Sequence, residues 1–600
     1  MTAAAAEEAW AHRWRGRDRF VVLLTGHIDR FLSIWLAWRN DDHRPTHLDV
    51  ILIAEADAAV DIDAMLAHEL AAELRAAWPP TTPGLHRLSL AAGRVNLLLA
   101  RGRLPAWLPE LVARIDAFDL DDFEQPARIA KALGRLAAAD ATLSLRSVDP
   151  AHRSALTAAG FECRPIASGV ADAALTRARY APRFTPKSAP GRTAAHRVGR
   201  PAGPRRAVIV GAGLAGCAAA WALAEQGWHS LVIEKAPQIA LGASGNPAGL
   251  FHGIVNAQDG THARFNRAAA LMARDSVQAA IDLHQVAGST SGLLRLETGL
   301  TTSAMHDVLT RLGLPPSYVQ ALDAQQASAR SGLPLDRPAW FYPGGGWVAP
   351  AGLAASFLAR ASGYAELQCS VVVERLERCA SGWKLFGSGG QLLAEAEVVV
   401  LANAGDAMRL LDHPAWPIER VRGQISTLPN AVERGLALPR LPIAGAGYLL
   451  PGIAGAAVFG STAQAGDEDP SVRDDDHSAN LAQLARLIGR EVIASPSDLT
   501  GRTAWRWSAA DRLPVIGAVP DSVGAAVHGV RLDQPRFVPR LPGLYVFTAL
   551  GSRGITWSSL GAQVLAAAVS GASQVLEASL LAAIDPARFV SRAARREGAA

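Results

Sequence analysis

The chain has 600 residues, half of them hydrophobic and 19% charged, too long for a single hydrophobic core and too apolar for disorder, so two or three packed domains are expected. A formal net charge of +4 with a pI near 9.0 permits a polyanionic partner without demanding one. No apolar stretch is long enough to span a bilayer, and the opening residues lack the apolar core of a signal peptide, so a cytoplasmic protein with no membrane partner is expected.

Residues 1–182 alternate between strand and helix patterns. Strands are predicted at 20–24, 48–54, 85–90, 95–99 and 141–145, with a helix through 65–78, and this alternation reads as a Rossmann-like α/β domain. A nucleoside cofactor in such a domain needs a glycine-rich turn after the first strand. Here that turn reads Leu24, Thr25, Gly26, His27, Ile28, Asp29, Arg30, with one glycine, and the side chains of Asp29 and Arg30 are predicted to stand where backbone must meet ligand. His27 has no visible partner and receives no role. Residues 183–206 are rich in Pro, Gly and basic side chains and contain no acid, the composition of a linker. Its charge would suit nucleic-acid phosphate, but a solvated connector is the preferred reading.

From Ala207 onward the organisation changes. Residues 207–210 are a short apolar run, and Gly211, Gly213 and Gly216 complete G-x-G-x-x-G where a helix must begin. A second strand follows and ends in Glu234. Strand, glycine turn, helix, strand and terminal acid in this order form a dinucleotide-binding unit: glycines for the turn and close packing, a helix N-terminus for the pyrophosphate, a carboxylate for ribose hydroxyls.

Several later stretches are predicted to return to this unit. Small residues crowd around Ser244, Gly245 and Asn246, where backbone would run beside a planar ring. Residues 342–350 read as a turn leading into a helix. Stretches 369–376, which contains Val372, 383–386 and 396–402 alternate like meander strands. The last of these runs into Asn403, Ala404 and Gly405, suited to another close approach. Residues 420–462 are predicted to build a mixed sheet outside the nucleotide fold, roofing a substrate pocket. Residues 543–571 repeat strand, glycine turn and helix. Gly551, Gly554 and Ile555 then place a helix N-terminus at the pyrimidine end of a flavin, where negative charge builds up on reduction. Arg506 and Arg553 enter these last turns and suit a substrate carboxylate. The acidic run 467–477 lacks metal-loop spacing and reads as a solvated loop. The four cysteines, Cys163, Cys217, Cys369 and Cys379, lack C-x-x-C spacing and read as reduced packing residues, so no metal site is predicted.

Taken together, the glycine motif, LGASGN, PGGGWVAP, VRGQIS, Gly460 to Thr462, DRLPVIG and ALGSRG resemble the flavoenzyme half of the bifunctional tRNA 5-methylaminomethyl-2-thiouridine biosynthesis family, which belongs to the glycine/D-amino-acid oxidase group. Residues 78–99 and 141–165 are similar to its methyltransferase half. The resemblance implies an FAD-binding fold over residues 207–600 with an inserted substrate sheet. It also implies oxidation of a carboxymethylaminomethyl group on the wobble uridine in a tRNA anticodon loop, by a monomer. The family's E-x-G-F-G-x-G is LLTGHID here, its G-D is Ala100, Arg101, Gly102, and its L-D-G-F-A-P keeps Asp121 and Phe123 after the leucine. Its G-F-G-R-K-R-E segment is ASGVADAAL, residues 167–175. The first domain is therefore expected to keep its fold and lose the S-adenosylmethionine site with most or all methyl transfer. The alternative is an oxidase of a free amino acid or small amine.

Overall fold

The structure is a computed structural model that describes residues 10–54, 70–164, 175–183, 205–525 and 531–597. The chain divides into two compact units, one of Met1–Pro79, Pro83–Ala189 and Gly571–Leu581, the other of Pro80–Thr82, Pro190–Ser570 and Ala582–Ala600.

The first unit is built on an eight-stranded sheet: β1 (Arg19–Thr25), β2 (His47–Ala54), β3 (Leu85–Leu90), β4 (Val95–Arg101), β5 (Ile115–Leu120), β6 (Ala137–Leu145), β7 (Phe161–Arg164) and β8 (Thr176–Tyr180). Their order across the sheet is β3-β4-β2-β1-β5-β6-β8-β7. β4, β2, β1, β5 and β6 run parallel, while β3, β8 and β7 pair antiparallel at the edges. All eight residues of β2 are buried, as expected of a parallel strand covered on both faces. β1 lies between β2 and β5, so connections leave it in opposite directions, and the crevice at its carboxyl end is where a doubly wound sheet holds ligand. Gly571–Leu581 completes this unit: Gln574 N–H donates to Val112 O (2.9 Å), Ala578 N–H to Glu110 O (2.8 Å) and Ser579 N–H to a Glu110 carboxylate oxygen (2.9 Å), and Leu576 and Leu580 are buried. β5, β7 and β8 are strands that periodicity missed. Of the helix expected over 65–78, Ala71–Ala76 is helical and residues 65–69 lie outside the described residues.

The second unit carries two large sheets. In the first, β9 (Arg206–Val210) and β10 (His229–Ile233) lie beside Ala365–Gln368, Val398–Leu401, Arg540–Thr548 and Val515–Pro520, all parallel except the last. The second is a nine-stranded mixed sheet that includes Leu293–Leu296, Ala339–Tyr342, Ile443–Ala444, Tyr448–Leu449, Ala457–Gly460 and Ile418–Leu428, the last paired along its length with Thr500–Ala509. This is the FAD-type nucleotide fold with an inserted mixed sheet that the sequence predicts. Two local expectations need correction. Residues 369–374 are not a strand; the chain crosses from Gln368 to Arg375 as a loop because Val371 N–H donates to Glu234 O and Ser370 N–H to Ala236 O, not to a sheet ladder. The turn at 342–350 contains a short strand, Gly346–Val348, before the helix Pro350–Arg360.

The acidic run is also not simply a solvated loop. Asp476 and His477 are buried on the helix Asp474–Ile488. Arg422, fully buried in strand Ile418–Leu428, donates to Asp476 Oδ2 (2.6 Å), Asp469 O (2.7 Å) and Ser471 O (2.6 Å). Ser426 Oγ lies 2.8 Å from His477 Nδ1, and Gln424 Nε2 donates to Arg473 O at 2.8 Å. A buried guanidinium needs such a set of acceptors, and the acidic run supplies it.

Candidate functional site

β9 ends at Val210, and Gly211 turns the chain with φ of +102° into the helix Leu214–Glu225. A Cβ on Gly211 would stand 2.8 Å from Ala402 O, and one on Gly216 would collide with Gly211 O. The first glycine thus admits the end of the neighbouring strand, and the third lets the helix close on its own turn. Gly213 is the N-cap residue. Ser244 Oγ accepts the Leu214 N–H at 3.1 Å, which ties the small-residue loop to the helix start where free N–H groups favour an anion. Glu234 accepts Ala212 N–H (2.6 Å) on one oxygen and Ala236 N–H (3.0 Å) on the other; a carboxylate has about four acceptor positions, so lone pairs remain for hydroxyl donors.

These residues open on a cavity of about 1310 Å³, above the range of roughly 300–1,000 Å³ for a drug-sized ligand. Gly211, Gly213, Glu234, Ser244, Asn246, Val372, Gly405, Arg506, Gly551, Arg553, Gly554 and Ile555 all line it. Gly216 and Gly245 lie behind the wall. A Cβ on Gly245 would come within 2.7 Å of an Arg502 guanidinium nitrogen. Arg502 donates to Asn246 Oδ1 (2.7 Å), Leu241 O (2.8 Å) and Gly242 O (2.6 Å), so it pins the loop that carries Ser244. Gly405 serves a side chain as well as the cavity, since a Cβ there would collide with the Trp507 ring. Asn403 Oδ1 is buried in the same wall without a hydrogen-bond partner among the described residues, an acceptor in want of a donor. Cradle, ribose-type carboxylate and unfilled acceptor together fit a bound dinucleotide.

The cations occupy the other part of the cavity. Strand Thr500–Ala509 places Arg506 opposite Val421, and its guanidinium lies against Gly423, donating to Ser461 Oγ (3.1 Å) and Thr462 O (2.7 Å). Both acceptors are neutral. Burial holds Arg506 below its usual pKa, and burial likewise pushes the neighbouring Tyr448 phenol up to about 12. Arg553 comes immediately before the helix Gly554–Ser570. Burial first, and nearby Arg295 second, pull Arg553 down to about 10, which still leaves it charged at neutral pH. Among the described residues, neither Arg506 nor Arg553 has a carboxylate within ion-pair distance. His252 is buried beside them; burial, then Arg553 and Arg295, hold it down to about 3. Its Nδ1 faces Gly253 O, so that nitrogen carries the proton and Nε2 is left as an acceptor.

Sequence reasoning missed Arg295, His252, Tyr448 and Arg502. Arg502 was within reach: the strand period of two puts Arg502, Ala504 and Arg506 on one face. Arg295, in GLLRLET, carried no local signal.

In the first unit, a hydrogen-bonded cluster of side chains stands at the carboxyl end of β1. Arg30 donates to Thr25 O (2.8 Å) and Asp121 Oδ1 (2.5 Å), and Asp121 N–H donates to Thr25 Oγ1 (2.7 Å). A Cβ on Gly26 would collide with the Asp121 carboxylate, and Arg146 lies 3.0 Å from Asp119 and 3.6 Å from Asp121. Arg30 therefore enters the crevice as predicted, whereas Asp29 is exposed at the helix start. His27 is exposed. Most of the ASGVADAAL segment and of the basic linker lies outside the described residues.

Comparison with known proteins places this geometry. Residues 206–568 match the FAD dependent oxidoreductase family. A tRNA 5-methylaminomethyl-2-thiouridine biosynthesis bifunctional protein of Methylibium petroleiphilum is 44% identical over 603 residues, covering 96% of this chain and 91% of that one. Its counterpart in Burkholderia vietnamiensis is 38% identical, covering 97% and 92%. Among solved structures, glycine oxidase from Geobacillus kaustophilus superposes with a TM-score of 0.50 at 24% identity, over 64% of this chain and 98% of that one. L-proline dehydrogenase from P. horikoshii gives 0.50 at 16% identity, over 64% and 97%; these two likenesses speak for the fold alone. The chain belongs to the FAD dependent oxidoreductases and, along nearly its whole length, to the family of bifunctional tRNA 5-methylaminomethyl-2-thiouridine biosynthesis proteins.

Proposed function

We propose that this FAD-dependent oxidoreductase acts on tRNA, oxidising the carboxymethylaminomethyl group at C5 of the wobble uridine, with or without the 2-thio substituent, to leave 5-aminomethyluridine. The observation that carries the reading is Arg506: a half-buried guanidinium held by two neutral oxygens, in the same cavity as the dinucleotide cradle, with its charge free for a substrate carboxylate.

Gly211, Gly213 and Ser244 would hold the FAD pyrophosphate, Glu234 a ribose, and the start of helix Gly554–Ser570 the flavin's pyrimidine edge. Bound there, FAD supplies a two-electron acceptor. Arg506 grips the carboxylate in a forked, charge-assisted pair, and Tyr448 remains a phenol that donates without adding charge. His252 stays neutral and offers Nε2 to a donor. The residues therefore position a neutral secondary amine, and positioning is most of the catalysis such chemistry needs. The substrate loses two electrons and two protons as the C–N bond of its acetate arm becomes C=N. Water adds at that carbon, and cleavage separates glyoxylate from the primary amine. A wobble base is unpaired in the free anticodon loop, so turning it into a pocket costs little.

We further infer that the first unit no longer transfers methyl groups. The support is the Arg30–Asp121–Thr25 cluster, which occupies the crevice a nucleoside cofactor needs. The protein is read as a cytoplasmic monomer that meets tRNA there. No helix among the described residues is long and apolar enough to cross a membrane.

The test is nucleoside mass spectrometry of tRNA bearing carboxymethylaminomethyluridine, incubated with the protein with and without S-adenosylmethionine. Aminomethyluridine in both samples is expected. Methylaminomethyluridine appearing with the methyl donor would restore the first unit's activity. An unchanged nucleoside from yellow protein would favour the small-amine oxidase.

A further inference from the structure

The cavity contains more positive charge than one carboxylate requires, and the charge is divided. Arg506 stands with Tyr448. Arg553 stands with Arg295, Tyr342 and His252. Arg295 projects from strand Leu293–Leu296, opposite Trp340 on one side and Ala444 on the other. It lines the cavity, is half-buried, and its side chain makes no hydrogen bond or ion pair with any described residue. The carboxylate nearest along the chain, Glu297, is committed to Trp340 Nε1 (2.7 Å) and to the N–H groups of Thr298 (2.9 Å) and Gly299 (2.8 Å).

Arg295 and Arg553 line one cavity and repel each other; Glu297 attracts Arg295, but among the described residues no carboxylate within ion-pair distance of either guanidinium offsets that cost. An oxyanion entering between them would. A free amino acid brings one such group, which Arg506 already accommodates. A uridine within an RNA strand brings two kinds: the carboxylate on its modified arm and the phosphodiester on either side of its ribose.

We propose that Arg295 and Arg553 together bind a backbone phosphate adjoining the modified uridine, leaving Arg506 for the carboxylate. This deepens the reading above and rests on it for the identity of the substrate. The chemistry recognised is an oxyanion, and the competing source is the arm's own carboxylate. Arginine suits either, since its planar fork matches both geometries. On this reading the site selects nucleotides over free amines by charge, and Arg295 is the residue that sets the selection.

The experiment uses the flavin-loaded full chain, at constant ionic strength, with 5-carboxymethylaminomethyluridine supplied as the free nucleoside and as its 3′,5′-bisphosphate. The protein should prefer the bisphosphate by about tenfold in kcat/KM or more, on the scale of one charge-assisted contact. Arg295→Gln should cost the bisphosphate about tenfold more than the nucleoside, through KM, and Arg295→Lys should restore part of the difference. Equal losses on both substrates would assign the pair to the carboxylate and overturn the proposal. Unchanged kinetics on both would remove Arg295 from binding altogether. Lost flavin or an altered flavin spectrum in Arg295→Gln would give the pair to the cofactor instead. Titration with inorganic phosphate, followed by flavin absorbance, separates this proposal from the functional reading. If neither uridine compound is turned over, the reading fails; a saturable phosphate response that Arg295→Gln abolishes still supports the anion site, and its absence overturns it.

Discussion

Arg506 is held by a hydroxyl and a carbonyl rather than by a carboxylate, which leaves its charge without a counter-ion among the described residues, as the proposed binding of a substrate carboxylate requires. Arg506→Met should therefore leave the fold intact and lower kcat/KM on modified tRNA by about a hundredfold or more, in line with the roughly 2–5 kcal/mol for truncating one side of a buried charge pair. Gly216 makes the opposite case. Gly216→Val forces a side chain against Gly211 O, an overpacking of about 1–3 kcal/mol, and the protein should purify without yellow colour. His252 sets a pH dependence. Its folded pKa of about 3 lies below the ordinary 6.5, so between those values the unfolded chain binds the extra proton and stability rises with pH. His252→Gln should flatten that part of a urea-midpoint profile. At this scale the sequence was legible where residues sit in a motif: Gly211, Gly213, Glu234, Arg506 and Arg553, all singled out from sequence, line one cavity. Arg295 and His252 were not, because strand pairing and cavity shape alone give them meaning.

Among the elements, the strand Ile418–Leu428 is paired along its length in the mixed sheet and its fully buried arginine reaches into the acidic run. Asp476→Ala would leave Arg422 buried and unpaired, a loss of about 3–5 kcal/mol readable as a lowered urea midpoint. Activity should fall with it, because the clasped run also accepts the Trp505 indole N–H at Asp467 O (2.8 Å), and Trp505 lines the cavity. Local pattern misled here for a physical reason. A run of acids looks solvated until its counter-charge is known, and that counter-charge lies near residue 422. The loop at 369–374 misled likewise: its apolar residues alternate like a strand, yet its N–H groups go to the end of β10. By contrast β1, β2, β3, β4 and the dinucleotide strand–turn–helix were readable because short apolar runs bounded by turns have few other uses.

For the whole molecule, the Arg30–Asp121–Thr25 cluster at the end of β1 predicts that calorimetry will find no micromolar binding of S-adenosylmethionine to the full chain. The same scale limits how the two units can be dissected. Cutting near residue 205 does not separate them, because Gly571–Leu581 belongs to the first unit. A fragment ending at 205 should be soluble and cooperative in unfolding only when a peptide of residues 571–581 is added. The fragment beginning at 206 would in turn expose the apolar side chains of Val575, Leu576 and Leu580.

That return of the chain also bears on how such a protein can change over generations. A two-activity polypeptide joined by a simple tether can shed a failing half in one deletion, and the surviving half is none the worse. Here the early segment has its last piece, Gly571–Leu581, encoded within the second unit's own stretch of chain, so its loss would leave a greasy insert in the enzyme that remains. A partner stitched in by two separate stretches of chain is harder to discard than one attached at a single point, and the stitching itself favours a fold's persistence whatever becomes of its chemistry.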